Sequence, residues 1–458
     1  MQKIILFSSF VLLLFVAFKV KKEKKQPNII YIMADDLGYG DLSCYGQKRF
    51  KTPNIDKMAK QGIQFTDFHS GSTVCAPSRC ALMTGKSMAH SYIRGNGEYP
   101  LRDEDFTMAE YLKQNGYHTG MFGKWGLGLA ENSGSPEKQG WDEFLGYTNH
   151  VHAHHLYTKN LWTIKEGKTI KFPTDSLRHS HQYIMDAALD FIKNNNSKPF
   201  FMYLAVTIPH AEVFSPSQES LNPFLNTDKS SVFPEKSFIQ KSGNYRSQTM
   251  PKANFAASIT HLDSDVGKLL GLLKSLGIDD NTYVIFTSDN GPHEEGGADP
   301  EFFDSNGQLR GIKRDLYEGG IRVPFIAWGG KIKGNVTNND ILANWDFFPT
   351  VQELIGGQKT EGLEGISFAN AFKNKPIKLK HDFLYWEFYE RGFSQALRMG
   401  DWKAVKIKAK GNKMELYNLK NDLGEQNDVA NQYPEIVQKA EKTILENRAD
   451  SEIWQIKK

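Results

Sequence analysis

Three runs of consecutive apolar residues punctuate the chain: Asn28-Ile-Ile-Tyr-Ile-Met-Ala34, Pro199–Ile208 and Thr282–Thr287. Runs without polar alternation predict strands buried on both faces. Each ends abruptly in polar residues, at Asp35-Asp36, at Pro209-His210 and at Ser288-Asp289-Asn290-Gly291. Tyr117–Lys124 predicts a further short strand. Helical periodicity fills the intervals. Pro53 opens a helix over Asn54–Gln61 that Gly62 stops, and another over Asp105–Asn115 stops at Gly116. Longer helical patterns cover Ser180–Asn194 and Lys252–Leu276. Such alternation predicts an α/β fold with a large mixed, mostly parallel sheet flanked by helices.

The stretch Ala211–Pro251, rich in Ser, Pro, Asn and Phe and without periodicity, reads as a long surface excursion near the site, a substrate-facing lid. After Phe372 the pattern becomes one of short strands and turns. Phe383–Phe388, Gln395–Arg398, Trp402–Ile407 and Met414–Leu419 are the expected strands, and Pro434–Asn447 is a terminal helix. The chain therefore divides into a leader (1–25), a catalytic domain (26–372) and a smaller C-terminal α+β subdomain (373–458) with a short antiparallel sheet.

The 458 residues, 40% hydrophobic and 24% charged, exclude a collagen-like, polytopic membrane or largely disordered protein. The net charge of +3 is concentrated at the start, where residues 1–25 hold six lysines against one glutamate. The remainder is near neutral and carries no nucleic-acid footprint. The apolar run Ile4–Phe18 is short for a spanning helix and suits the core of a signal peptide. Export to the periplasm or outside the cell is the expectation, with a membrane association only if that segment is retained as an anchor. Three cysteines, Cys44, Cys75 and Cys80, are too few for a disulfide scaffold, and an odd number leaves at least one thiol another fate. Cys44 and Cys80 are open to pairing or to staying free.

Two distant strands thus end in oxygen ligands, Asp35 and Asp36 on one, Asp289 and Asn290 on the other. Carboxyl ends of strands form the binding crevice of open α/β sheets. Four oxygen-donating side chains suit a hard cation, Ca²⁺ or Mg²⁺, rather than zinc; turn capping after each strand is the alternative. In Cys75-Ala-Pro-Ser-Arg79, Pro77 suits a first helical turn, so Cys75 sits where backbone N–H groups favour an anion, with Arg79 one turn further on.

Cys75-Ala-Pro-Ser-Arg79 followed by Thr84-Gly85 resembles the signature of type I, formylglycine-dependent sulfatases of the arylsulfatase type, within the alkaline-phosphatase-like superfamily. The resemblance extends over nearly the whole chain after the leader. It runs through Ala34-Asp-Asp-Leu-Gly-Tyr-Gly-Asp, Thr52-Pro-Asn-Ile-Asp, Gly123-Lys-Trp-Gly, Pro209-His, Ser288-Asp-Asn-Gly, Tyr317-Glu-Gly-Gly-Ile-Arg-Val-Pro, Gly400-Asp-Trp-Lys and Glu415-Leu-Tyr-Asn-Leu. It implies a large α/β domain with a smaller C-terminal one, conversion of Cys75 to formylglycine by a maturation enzyme, and hydrolysis of sulfate esters. Asp35, Asp36, Asp289 and Asn290, with the modified Cys75, would hold the metal, Ca²⁺ ahead of Mg²⁺. Arg79 and Lys124 correspond to cations that hold formylglycine and sulfate, Lys313 to a sulfate-binding lysine, and His210 to the histidine at the leaving-group oxygen.

One position departs from the pattern. Many members carry His where this chain has Gly126, and that histidine helps to release sulfate. A bacterial branch with the same Gly has a later Ala-His pair followed by Tyr and Leu-Trp, which Ala153-His154, Tyr157 and Leu161-Trp162 resemble, so His154 is the expected replacement base. A polar loop of His150, His152, His154 and His155 is the plainer reading. In the expected reaction His210 acts as general acid and His154 as base. Hydrolysis of phosphomonoesters or phosphonates, or sulfated-glycan binding without turnover, are the rival functions. Exported bacterial sulfatases of this appearance degrade sulfated polysaccharides, and Trp386, Glu387, Glu390, Arg391 and Gln395, with Trp162 and the 211–251 excursion, are candidates for bordering a sugar; ordinary strand and turn surface is the alternative for the first five.

Overall fold

The computed structural model describes residues 26–241, 245–407, 410–411 and 413–456; residues 1–25, on which the expected export signal rests, lie outside the described residues. The strands are β1 (Asn28–Asp35), β2 (Ile63–Phe65), β3 (Phe68–His69), β4 (His118–Lys124), β5 (Glu143–Tyr147), β6 (Asn160–Lys165), β7 (Lys168–Pro173), β8 (Phe200–Pro209), β9 (Thr282–Ser288), β10 (Phe325–Gly329), β11 (Val336–Asn338), β12 (Leu342–Ala343), β13 (Leu384–Phe388), β14 (Ser394–Met399), β15 (Trp402–Ile407) and β16 (Met414–Asn418). The α-helices are α1 (Pro53–Gln61), α2 (Cys75–Thr84), α3 (Met108–Gln114), α4 (His150–Ala153), α5 (Ser180–Asn195), α6 (Gln218–Leu221), α7 (Pro251–Ser275), α8 (Pro300–Phe303), α9 (Glu318–Ile321), α10 (Phe347–Ile355) and α11 (Pro434–Asn447).

Ten strands form one mixed sheet in the order β11-β2-β10-β9-β1-β8-β4-β5-β6-β7. Its centre is parallel: β1 pairs with β9 on one side and β8 on the other, and β8 and β5 flank β4. The edges turn antiparallel through β10 and through β6–β7. The apolar runs are explained by two cores, one on each face. Ile30, Ile32 and Ala34 of β1 join one cluster with Met202, Leu204 and Val206 of β8; Ile29, Tyr31 and Met33 join the other with Phe201 and Tyr203. Neither face of these strands meets water, so alternation would leave polar groups buried.

Most predicted elements are present within a residue or two. The helix expected from Asp105 starts instead at Met108, because Thr107 caps it: its Oγ1 accepts from Glu110 N–H (3.2 Å) while the Glu110 carboxylate accepts from Thr107 N–H (2.8 Å). The 211–251 excursion holds α6, a single 3₁₀ turn and two isolated bridges, and much of its described length is exposed. Beyond residue 372, β13–β16 form an antiparallel sheet in sequential order. Its buried residues, with Ala440 and Ile444 of α11, pack against Val74, Ala81, Tyr317 and Trp345 of the larger part. Among the described residues no helix is long and apolar enough to cross a membrane.

Candidate active site

Four neighbouring parallel strands, β9-β1-β8-β4, bring their carboxyl ends to one edge of the sheet. Those ends carry Asp289 and Asn290, Asp35 and Asp36, His210, and Lys124 respectively. Asp36 turns the chain in the left-handed region (φ 62°), which aspartate tolerates better than most side chains. That turn lets Asp36 N–H donate to Asp289 Oδ1 (3.0 Å) and sets Asp36 Oδ1 to accept from Asn290 Nδ2 (2.6 Å). The two tips, 253 residues apart, are locked together.

Against these tips stands the start of α2, an entirely buried helix that begins at Cys75 and ends at Gly85 in the left-handed conformation. The cap residue Val74 offers no side-chain oxygen; instead Asn96 Oδ1 accepts from Ala76 N–H (3.0 Å). Cys75 Sγ lies 3.9 Å from Asp36 Oδ1. One turn on, Arg79 is fully buried and bound on every side. Nε and Nη2 donate to Asp289 Oδ2 (3.1 and 2.7 Å), Nη2 also reaches Asp35 Oδ1 (3.3 Å), and Nη1 donates to the Lys124 carbonyl. Arg79 therefore holds β9, β1 and β4 in register. Lys124 Nζ donates to Asp35 Oδ2 (2.7 Å), and Lys313 Nζ donates to Asp36 Oδ2 (2.8 Å) and to His210 Nε2 (3.0 Å). His210 Nδ1 donates to the Ala211 carbonyl (2.6 Å), which assigns the neutral tautomer with Nε2 as acceptor. The His154 ring stacks on His210 at 5.0 Å and 8°.

Three carboxylates and three cations thus share one buried volume. Burial works against ionisation of Asp35, but the Lys124 ammonium and the Arg79 guanidinium hold its carboxyl well below the ordinary range. Asp289, raised by burial and by Asp35, is pushed up to about 7. Burial, with Lys313 adding repulsion, holds His210 well below its usual value; His154 is lowered to about 2 by burial and by His210. Burial and Asp35 push the Cys75 thiol well up, so as a plain cysteine it stays protonated. Asp35, Asp36, Asp289 and Cys75 each place a ligand atom within 4.8 Å of the others, and Asn290 Oδ1 is buried without a hydrogen-bond partner. A cluster of buried carboxylate oxygens with one orphaned amide oxygen fits a hard cation.

A cavity of 280 Å³ opens over this cluster, and Cys75, Lys124, His154, His210 and Lys313 all line it. All the expected site residues converge here. Several lining residues were not foreseen: Asn96, Glu98, His150, Tyr245 and Arg314. Of these, His150 belongs to the histidine-rich loop noted in the sequence and Tyr245 to the excursion, where its ring packs on His154 at 5.0 Å. The sugar-facing set fares differently. Trp386, Glu387 and Gln395 are buried: Trp386 Nε1 donates to the Ser70 carbonyl, and Glu387 accepts from Arg94 and Arg448. Of the five, only Glu390 lines the cavity, and Trp162 packs on the core instead. β13 and β14 are buried along their whole length, on both faces, which composition alone does not reveal. Cys44 and Cys80 are free, Cys80 Sγ lying against Ser91 Oγ (3.2 Å).

A family model described as Sulfatase matches residues 27–357, and one described as N-sulphoglucosamine sulphohydrolase, C-terminal, matches residues 311–450. The chain is similar to the N-acetylgalactosamine-6-O-sulfatase of Bacteroides thetaiotaomicron, 30% identical over 508 residues that span 92% of this chain and 93% of that protein. It is also similar to arylsulfatase A of Homo sapiens, 33% identical over 72% of this chain and 64% of that protein. Among solved structures, the crystal structure of Ps i-CgsB in complex with k-i-k-neocarrahexaose superposes with a TM-score of 0.77 at 28% identity, covering 94% of this chain and 95% of that one.

Proposed function

The chain belongs to the sulfatase family and is a sulfuric ester hydrolase; from that premise we propose that it removes sulfate from sulfated polysaccharide or oligosaccharide, with Cys75 matured to formylglycine and Ca²⁺ at the strand tips. The observation that carries this reading is the convergence of Cys75, Asp35, Asp36, Asp289 and Asn290 beneath one cavity lined by Lys124, Lys313 and His210. Residues 26–372 form the catalytic domain and 373–458 the C-terminal subdomain. A maturation enzyme acts on Cys75 before use, and the protein is exported.

Asp35, Asp36, Asp289 and Asn290 would hold the cation, which supplies Lewis-acid stabilisation of negative charge. A formylglycine at position 75 supplies, once hydrated, one hydroxyl that attacks sulfur and a second whose deprotonation frees the sulfate. The remaining work falls to the chain's own side chains. Arg79, bound to Asp35, Asp289 and the Lys124 carbonyl, keeps the acid tips and the Lys124 ammonium aimed at one point. Lys124 and Lys313, held beside carboxylates at 2.7 and 2.8 Å, offset the charge of a sulfate monoester that would otherwise repel a nucleophile. The alcohol must leave with a proton. The Lys313 ammonium donates to His210 Nε2, so the pair holds one transferable proton at the cavity wall, and positioned acids of this kind contribute about 10²–10⁴ in rate. Neutral His154, stacked flat on His210, confines that ring to the plane in which Nε2 meets Lys313. The sulfur ester, rather than phosphorus, is favoured by the Cys75 motif.

The test is direct. Mass spectrometry of the Cys75 peptide from the native host, beside release of sulfate from a panel of sulfated mono- and oligosaccharides, should show thiol-to-aldehyde conversion and turnover that Cys75→Ala abolishes with the fold intact. An unconverted thiol, full activity in Cys75→Ala, or turnover of phosphate esters alone would overturn it.

A further inference from the structure

The side chain absent at Gly126 is replaced by a neighbour in space. Gly126 has φ 72°, and a Cβ built on it would lie 2.6 Å from His150 Cε1, 3.2 Å from Nε2 and 3.3 Å from Nδ1. The His150 imidazole thus occupies the volume that a side chain two residues after Lys124 would fill. Local structure fixes it there. Gly126 N–H donates to the Thr148 carbonyl (3.2 Å), and Asn149, as the cap of α4, accepts from His152 N–H (2.8 Å), so the loop presents His150 at the first helical position beside Gly126.

The histidines of this loop separate by environment. His152 Nε2 is bonded to Thr158 Oγ1 (2.9 Å), and the half-exposed His155 is turned towards Glu212. His154 leaves one buried nitrogen, Nδ1, without a partner, but its ring is committed to a stack with His210, on the Lys313 side of the cavity. His150 is different. Both its ring nitrogens are buried and neither has a hydrogen-bond partner, although the residue lines the cavity together with Cys75 and Lys124. A buried imidazole with two unanswered nitrogens is costly unless a ligand meets it. Burial, followed by Lys124 and Arg79, holds its pKa well below the ordinary histidine value, so the ring is neutral and able to accept a proton.

Resting on the sulfatase reading above, we propose that His150 is the general base that releases sulfate in this enzyme, and that His154 is a positioning residue for His210. A ring nitrogen of His150 takes the proton of the hydroxyl that remains on the residue 75 side chain. The O–H electron pair becomes the second bond of the regenerated carbonyl, and the carbon–oxygen bond to sulfate breaks with its pair leaving on sulfate.

The experiment compares wild type, His150→Gln, His150→Ala and His154→Ala, all co-expressed with a maturation enzyme and checked for aldehyde at position 75. Each is mixed with a sulfated saccharide or an aryl sulfate, quenched, and the residue 75 peptide is weighed. In both His150 variants the peptide should accumulate carrying one SO₃, with a single burst of released alcohol followed by turnover lowered about 10²–10⁴-fold, partly restored by added imidazole. His154→Ala should show a slower burst without accumulation. His150→Gln keeps the ring's volume and a polar tip, so it guards against loss of fold. Accumulation of the sulfated peptide in His154→Ala instead, or turnover within a few-fold of wild type in His150→Gln and His150→Ala, would overturn the assignment. Absence of aldehyde in the wild-type peptide would remove the sulfatase mechanism itself, which separates that failure from this one.

Discussion

Glu318, within Tyr317-Glu-Gly-Gly-Ile-Arg-Val-Pro, offers the sharpest test of how the C-terminal sheet is attached. Its carboxylate is fully buried and accepts from Lys403 Nζ of β15 (2.7 Å), meets His69 Nε2 of β3 (3.1 Å), and lies 3.4 and 3.5 Å from Arg322 and Arg398. Lys403 is itself fully buried, and its other acidic neighbour, Glu425, is more distant at 3.7 Å. Glu425 is raised to about 7, first by burial and with repulsion from Glu318 adding to it. Glu318→Ala leaves the buried Lys403 ammonium with only the more distant Glu425, a change that typically costs about 3–5 kcal/mol. Glu318→Gln should cost less, because its amide oxygen can still accept from Lys403 Nζ where alanine offers nothing. Replacing both partners, Glu318→Gln with Lys403→Met, should recover part of the loss, since the buried ammonium is gone and Arg322 and Arg398 keep Asp67 as a partner. Equilibrium urea unfolding of wild type, Glu318→Gln, Lys403→Met and the double variant closes a double-mutant cycle and measures the coupling directly. Equal stability of Glu318→Ala and wild type, or additive losses in the double variant, would refute the argument that this pair ties the two sheets together.

Two further expectations follow from particular residues. At Gly123 (φ 113°) a Cβ would lie 1.9 Å from the Ala205 carbonyl oxygen, so Gly123→Ala should part β4 from β8, cost on the order of 4 kcal/mol and displace Lys124; normal thermal unfolding with normal sulfate release would contradict that register. His261 is lowered to about 4 by burial and by His181. The unfolded chain, with an ordinary histidine near 6.5, therefore takes up the proton first on acidification, and stability should fall by about 2–3 kcal/mol as pH drops from about 6.5 to 4, a slope that His261→Asn flattens in urea titrations.

Where the sequence was informative, the reason is physical. β1, β8 and β9 are buried on both faces, so their residues cannot alternate, and the polar residues that end them stand out against the apolar runs. The site residues at those ends are legible for the same reason, and Pro434–Asn447 is bounded as expected because Pro opens it. β6 and β7, by contrast, lie at the sheet's edge with Lys165, Lys168 and Lys171 exposed or half-exposed, and such strands look like loop in a linear pattern. Trp386 and Glu387 misled because aromatic and acidic residues on a strand are equally at home inside a docked sheet, and only the third dimension supplies Ser70, Arg94 and Arg448 as partners. His150 was one of four histidines in a row of six residues, and nothing in their spacing tells which ring reaches Gly126.

In the proposed site, the same geometry separates the groups assigned to the chemistry from those that would face a sugar. Lys124, Asp35, Asp36, His210, Asp289 and Asn290 sit at the ends of four mutually hydrogen-bonded strands, each locked by at least one buried partner, so any shift in one strains the others. The outer wall of the cavity comes from separate loops: Asn96 and Glu98 from one, Val151 and His154 from α4 and its end, Tyr245 from the excursion, Arg314 and Glu390 from two more. Arg314 spans Glu295 and Glu390, so one ionic bridge joins the loop that carries Lys313 to the turn between β13 and β14 at the cavity mouth. Exchanging Glu390 alters the cavity mouth without touching a strand tip, whereas Tyr245 also meets the His210 ring at 6.1 Å. Substrate preference can therefore change while the apparatus that breaks the sulfate ester stays fixed, which is the arrangement expected when chemistry rests on a rigid sheet and recognition on the loops around it.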